Sequence, residues 1–109
     1  TLFLQDEDSK GFRERVYAVM GELPDSKVTT YGDVAALAGQ PLAARVVGGI
    51  AHYGRDDLPW HRLVNRHGGL AVGFPGGREV QRQLLDQDGF RCTGYVLNDF
   101  EEIRWKPTF

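Results

Sequence analysis

With 109 residues and 41% hydrophobic side chains, the chain has material for one small domain with a single modest core, and none for a second domain. A formal net charge of −2 offers no generally basic surface, so any polyanionic partner must meet a local patch. There is no run of eighteen apolar residues, the start TLFLQDEDSKGF is acidic where a secretory signal is basic and then apolar, and one cysteine permits neither an internal disulfide nor a multi-cysteine zinc site; a soluble intracellular protein without a membrane partner is expected.

Phe12, Val16, Val19, Met20 and Leu23 recur at helical spacing, predicting a first amphipathic helix from about Ser9 to Leu23, stopped by Pro24. In KVTTYGDVAALAG, Thr30 is placed to cap a short second helix, with Asp33 three residues on, Val34, Leu37 and Ala38 on one face and Gly39 at the end. A Gly-Gln-Pro connection then leads into PLAARVVGGIAHYG, a third helix in which Leu42, Val46 and Ile50 are expected to face the core at i, i+4 and i+8. Two short helices around a glycine-containing turn outline a helix-turn-helix. The other side of its second helix carries Arg45, Gly48, Gly49 and His52, a bare face from which one guanidinium projects. Each glycine there costs about 1 kcal/mol relative to alanine, which points to a use for the missing side chains. Beyond Pro59, HRLVNRHGGLAVGF reads as a weak hairpin with Leu63–Val64 and Leu70–Val72 as its arms, a candidate wing. GGREVQRQLLDQDGF is the last clear helix, with Val80, Leu84 and Leu85 inward and Gly89 ending it, and the tail from Arg91 to Phe109 reads as a covering segment.

Charge is segregated along this order. Residues 1–33 sum to −3, residues 34–83 to +3 with six arginines and no lysine, and the remainder to −2; all three histidines lie in the middle segment. That segment also holds LPWHRLVNRHGG, where Trp60 sits between a proline and a His-Arg pair instead of in an apolar pattern. Arginine's planar fork suits phosphate and base contacts, although six arginines can equally keep a surface solvated. No metal or cofactor site is indicated: the histidines and Cys92 lack zinc spacing, and the glycines of GFPGG read as turn residues before a helix. Cys92 falls outside the basic segment just past a helix end, a place more typical of a structural cysteine than of a nucleophile, and His61 has no neighbouring thiol or hydroxyl to activate.

Three stretches, TTYGDVAALAGQPLAARVVGGIAHYG, LPWHRLVNRHGG and GFPGGREVQRQLLDQDGF, together resemble the DNA-binding domain of O6-alkylguanine-DNA alkyltransferases, from the first helix to about Phe90. In that family the middle motif is Pro-Cys-His-Arg, and its cysteine removes the alkyl group from damaged guanine in one suicidal transfer. Here Trp60 stands in the cysteine's place, the mark of the alkyltransferase-like proteins, which the sequence resembles throughout. The resemblance implies a mainly α, winged helix-turn-helix DNA-binding domain with a small β-hairpin wing, spanning residues 1–109 as one unit. It implies that Tyr31 crowds the phosphate beside the target nucleotide, that Arg45 enters the duplex to fill the vacated place, and that the helix bearing Gly48 and Gly49 lies in the minor groove. It also implies a lesion pocket of Tyr31, Pro59, Trp60, His61, Arg62 and Phe74, with no catalytic residue, since an indole has no readily ionised nucleophilic atom. Asp88 falls where the transferases carry an acid that completes the cysteine–histidine network. The segment from His52 to Leu58 is shorter and more charged than the corresponding transferase loop, and the match around GLAVGFPGG, which includes Phe74 and Pro75, slips by one residue.

The resemblance therefore implies a non-enzymatic damage-recognition protein. It would be a monomer that flips O6-alkylguanine out of double-stranded DNA and directs it to nucleotide excision repair proteins, in the cytoplasm at a bacterial nucleoid or in a eukaryotic nucleus. Three alternatives stay open: an active transferase using another nucleophile such as Cys92, a winged-helix regulator that reads undamaged sequence, and a protein-interaction module.

Overall fold

The computed structural model describes residues 2–107, with side chains from Gly11 onward. Helix α1, Leu2–Glu22, begins seven residues before the expected Ser9 and ends before Pro24 as the proline requires. Phe12, Val16 and Met20 from its buried face, with Leu23 just past its end, meet Val34 and Ala35 of the second helix, Ala38 at that helix's C-cap, and Val47 and Ile50 of the third in one cluster. Helix α2, Tyr31–Leu37, is capped as its sequence dictates: the Thr30 hydroxyl accepts from the Asp33 N–H at 3.0 Å, and Gly39 closes the C-terminus in the left-handed region at φ 93°. Helix α3, Ala44–Tyr53, comes after a turn in which the Ala43 N–H donates to the Gln40 carbonyl at 2.9 Å. Helices α2 and α3 form the helix-turn-helix.

Because α3 starts only at Ala44, its inward face differs from the expected one. Val47 and Ile50 are buried, whereas Leu42 precedes the helix and is fully exposed and Val46 is 53% exposed. Helix α4, Arg78–Gln87, is likewise rotated by one position: Gln81 and Leu85 point inward, Leu84 is half-buried, and Val80 lies at the surface against Gly76. The expected hairpin from Leu63 to Val72 does not form. Strand β2, Leu63–Val64, instead pairs in parallel with β1, Thr29–Thr30, in the register Thr29↔Leu63 and Thr30↔Val64. Asn65 turns the chain without pairing its two arms, its side-chain carbonyl accepting from the N–H groups of His67 at 2.9 Å and Gly69 at 2.8 Å.

The β-hairpin lies in the tail. Strands β3, Cys92–Thr93, and β4, Val96–Leu97, pair antiparallel around Gly94, and α5, Phe100–Ile103, comes next. The tail does more than cover: Leu97 and Phe100 join Val28, Val64, Leu70, Leu85 and Phe90 in a second buried cluster, so the domain has two small cores instead of one. Arg104 extends the β1 edge through a parallel bridge to Val28 and grips Asp33 with two hydrogen bonds of 2.8 Å. This fastens the tail to the first turn of α2. The architecture is mainly helical with a small hairpin. Among the described residues no helix is long and apolar enough to cross a membrane.

Candidate nucleic-acid interface

Pro59 ends the loop after α3 and opens a single 3₁₀ turn, Trp60–Arg62, that leads directly into β2. The turn is held from behind by Gln81, which is fully buried on α4. Its amide N–H groups donate to the carbonyls of His61 at 3.0 Å and Leu63 at 3.1 Å, and its carbonyl accepts from the Ala71 N–H at 2.8 Å. One side chain therefore saturates three backbone groups on two segments, which a buried amide must do to offset its own desolvation. Helical periodicity gives no sign of it, since a polar residue on α4 reads as exposed.

Trp60 is fixed from two sides. Its ring meets Tyr17 edge-on at 6.3 Å between centroids and 63° between planes, and its indole N–H donates to the Arg55 carbonyl. That bond needs the chain to leave α3 sharply at Gly54, where a Cβ would press on the Ile50 carbonyl and come within 2.8 Å of the Tyr17 hydroxyl. Arg55 is held in turn by Asp57 at 2.9 and 2.5 Å, with its guanidinium 5.6 Å from the Tyr17 ring centroid. The short charged loop from Gly54 to Leu58 is thus what braces the tryptophan.

The indole, Tyr31, Gly48, His52, His61 and Phe74 border one pocket of about 650 Å³. Tyr31 stands at the first position of α2 with its ring against Gly48 of α3, and burial pushes its phenol above the usual range, so the hydroxyl stays protonated and can approach an anion. Pro59 and Arg62, expected on the pocket wall, border a different cleft on the far side of the turn. The 3₁₀ geometry explains the split, because consecutive side chains of so tight a turn point in different directions. Arg62 is buried and structural: its guanidinium donates to the Pro24 carbonyl at 2.8 Å and lies 3.3 Å from Asp88. The same Asp88 carboxylate contacts His61 Nε2 at 2.5 Å, which joins the histidine to the acid at the end of α4. Pro75 also lies on the pocket border.

Arg45 and Gly49 sit outside this pocket on the exposed side of α3, beside Leu42, Val46 and Tyr53, the last 86% exposed. Sequence periodicity assigns Leu42 and Val46 to the core; here they form the apolar part of an outward face that surrounds one arginine. Neither glycine of α3 is demanded by the fold. A Cβ at Gly48 would rest 3.8 Å from the Tyr31 ring, an ordinary contact, and one at Gly49 would meet nothing within 4 Å. Cys92 borders a separate cleft of about 190 Å³ that shares no residue with the Trp60 pocket, and burial pushes its thiol pKa up, away from the thiolate. Among the described residues no cluster of three or more His, Cys, Asp or Glu side chains is arranged to hold a metal ion.

The family described as 6-O-methylguanine DNA methyltransferase, DNA binding domain, matches residues 11–90. The DNA base-flipping protein of Escherichia coli is 43% identical over 104 residues, covering 94% of this chain and 78% of that protein. Alkyltransferase-like protein 1 of Schizosaccharomyces pombe is 32% identical over 103 residues, covering 88% and 95%. Among solved structures, S. pombe Atl1 in complex with damaged DNA containing O6-carboxymethylguanine superposes with a TM-score of 0.75 at 31% identity, covering 88% of this chain and 95% of that one. Mycobacterium tuberculosis OGT in complex with DNA gives 0.65 at 30% identity, covering 72% of this chain and 48% of that one. Through the helix-turn-helix and the segment around Trp60, the chain belongs to the 6-O-methylguanine DNA methyltransferase DNA-binding-domain family, and within it to the alkyltransferase-like proteins.

Proposed function

We propose that this protein binds double-stranded DNA at O6-alkylguanine, turns the modified nucleotide into the Trp60 pocket, and holds it without transferring the alkyl group. The observation that carries the reading is the indole itself: it borders a pocket beside the His61–Asp88 pair with no thiol on the wall. An indole offers apolar surface to an alkyl substituent and has no readily ionised nucleophilic atom to take the alkyl group as a thiolate does. Binding therefore takes the place of reaction, because no thiol borders the pocket to accept the alkyl group. The glycines of α3 support a close approach, because a helix that gives up about 1 kcal/mol at each without an internal packing reason is shaped for an external surface. A narrow minor groove is such a surface. Extruding a base costs a few kcal/mol, which a guanidinium from Arg45 stacked in the gap offsets, while Tyr31 crowds the neighbouring phosphate.

By the same reading the protein acts as a monomer, shields the lesion and marks it for nucleotide excision repair. Flipping is tested with a duplex carrying 2-aminopurine beside O6-methylguanine. Wild-type protein should raise its fluorescence as the stack opens, and Arg45→Ala and Tyr31→Ala should bind the damaged duplex more weakly with a smaller rise. Unchanged affinity and signal in both variants would sink the flipping step. A regulator that reads sequence would instead prefer one undamaged site, and an interaction module would bind no DNA in a salt-dependent way.

A further inference from the structure

A helix lying in a groove faces one sugar–phosphate strand on each flank, and the two flanks of α3 are built differently. Gly48, Ala51 and His52 turn toward Tyr31 and Trp60, on the side of the pocket. Val46 and Gly49 turn the other way and, with Arg13 of α1, border a second cleft of about 310 Å³, while Tyr53 at the end of α3 borders both. Arg45 projects between the two sides. Of the ten arginines in the chain, Arg13 and Arg45 alone have neither a carboxylate, a hydrogen-bond acceptor nor an aromatic ring as partner among the described residues. Both are exposed. The others are engaged within the fold: Arg62 by Pro24 and Asp88, Arg91 by Asp86, Arg104 by Asp33, and Arg78 stacked on Tyr95.

If the lesion strand occupies the Trp60 flank, the opposite strand must run along the Arg13 flank. Its sugars would meet the apolar edges of Val46 and Tyr53, and its phosphates would meet Arg13, the one cation bordering that cleft among the described residues. We propose that the cleft between α1 and α3 seats the backbone of the strand opposite the lesion, with Arg13 as a phosphate contact outside the helix-turn-helix. This rests on the proposed DNA binding, so the test carries a control that separates the two.

The test is a salt titration of wild type, Arg13→Gln, Arg13→Lys and Arg45→Ala on matched O6-methylguanine and unmodified duplexes, after melting curves confirm that each variant folds. Arg13→Gln should weaken both duplexes by the same factor and flatten the slope of log K against log salt by about 0.9, the share of one phosphate contact. Between 50 and 200 mM salt it then loses about three-fold less affinity than wild type does, and Arg13→Lys should restore the slope. Neutral methylphosphonates placed in the strand opposite the lesion should erase the difference between wild type and Arg13→Gln. An unchanged affinity and slope in Arg13→Gln, while Arg45→Ala weakens binding, would overturn the Arg13 contact and leave the proposed DNA binding standing. If Arg45→Ala also binds as wild type does, the reading beneath it fails. If methylphosphonates in the lesion strand erase the difference instead, the assignment to the opposite strand is wrong.

Discussion

Replacing Trp60 by alanine removes the pocket wall while leaving Tyr31, Arg45 and the glycine face of α3 in place. The half-buried indole contributes its edge contact with Tyr17 at 6.3 Å and its hydrogen bond to the Arg55 carbonyl, so the variant should lose about 2 kcal/mol of stability, less than a fully buried tryptophan would cost. Its effect on binding depends on the adduct. Each methylene of an O6 substituent buried against the indole is worth about 0.8 kcal/mol, or about four-fold in affinity. In wild type, preference over unmodified duplex should therefore climb about four-fold per carbon from O6-methyl through O6-ethyl to O6-propyl. In Trp60→Ala the wall is missing and each step should shrink to about two-fold or less, while affinity for unmodified DNA changes little. Trp60→Phe keeps the edge contact and drops the indole N–H, so it should retain most of the climb. Fluorescence anisotropy on duplexes that differ only in the adduct measures this directly. If Trp60→Ala shows the same step per carbon as wild type, the indole does not bound the alkyl group and does not account for its retention.

Other parts of the fold supply further expected outcomes. Gly49→Ala should raise stability by about 1 kcal/mol, since its new methyl meets nothing within 4 Å, yet weaken DNA binding; higher stability with unchanged affinity would remove the reason given for the bare face. Gln81→Leu strands the His61 and Leu63 carbonyls and the Ala71 N–H, so urea unfolding should show a loss of about 3 kcal/mol or more, and a loss under about 1 kcal/mol would refute its stapling role. Arg104 holds the Asp33 carboxylate below the usual range, mainly through its hydrogen bonds. A carboxyl whose pKa is lowered by folding stabilises the native state above its unfolded value of about 3.9 and loses that stabilisation as pH falls through the folded one. The stability gap between wild type and Arg104→Gln should therefore be full at neutral pH and close below about pH 4, and a gap independent of pH would contradict the pair's role.

What the sequence disclosed was local. The Thr30 cap is satisfied three residues away, and Phe12, Val16, Met20 and Leu23 repeat on a helix long enough to average out exceptions. Helix α3 is too short and too apolar on both sides for that averaging, and its true start at Ala44 shifts the inward set from Leu42 and Val46 to Val47. The two-residue strands β1 and β2 have no alternation to read, and a glycine-rich turn at Asn65–Gly69 mimics a hairpin whose arms pair elsewhere. Gln81 escapes notice because its partners are remote in the chain. The candidate site was more legible than the fold that carries it: the motif around Trp60 located the tryptophan and His61 on one pocket with Tyr31 and Phe74. It could not separate Pro59 and Arg62, which the 3₁₀ turn sends to the other side, nor show that Arg55 braces the indole. Whether Asp88 meets His61 likewise depended on where α4 ends relative to the turn, and the two are in contact.

The central claim is that a damaged guanine is gripped and left chemically intact. Titrating the purified protein with O6-methylguanine duplex and with the same duplex unmodified, then weighing the recovered protein by mass spectrometry, tests it most directly. Binding should be tighter to the methylated duplex, and the protein mass should be unaltered with the methyl group still on the DNA. Equal affinity for the two duplexes, or protein heavier by one methyl group at Cys92 or elsewhere, would contradict it.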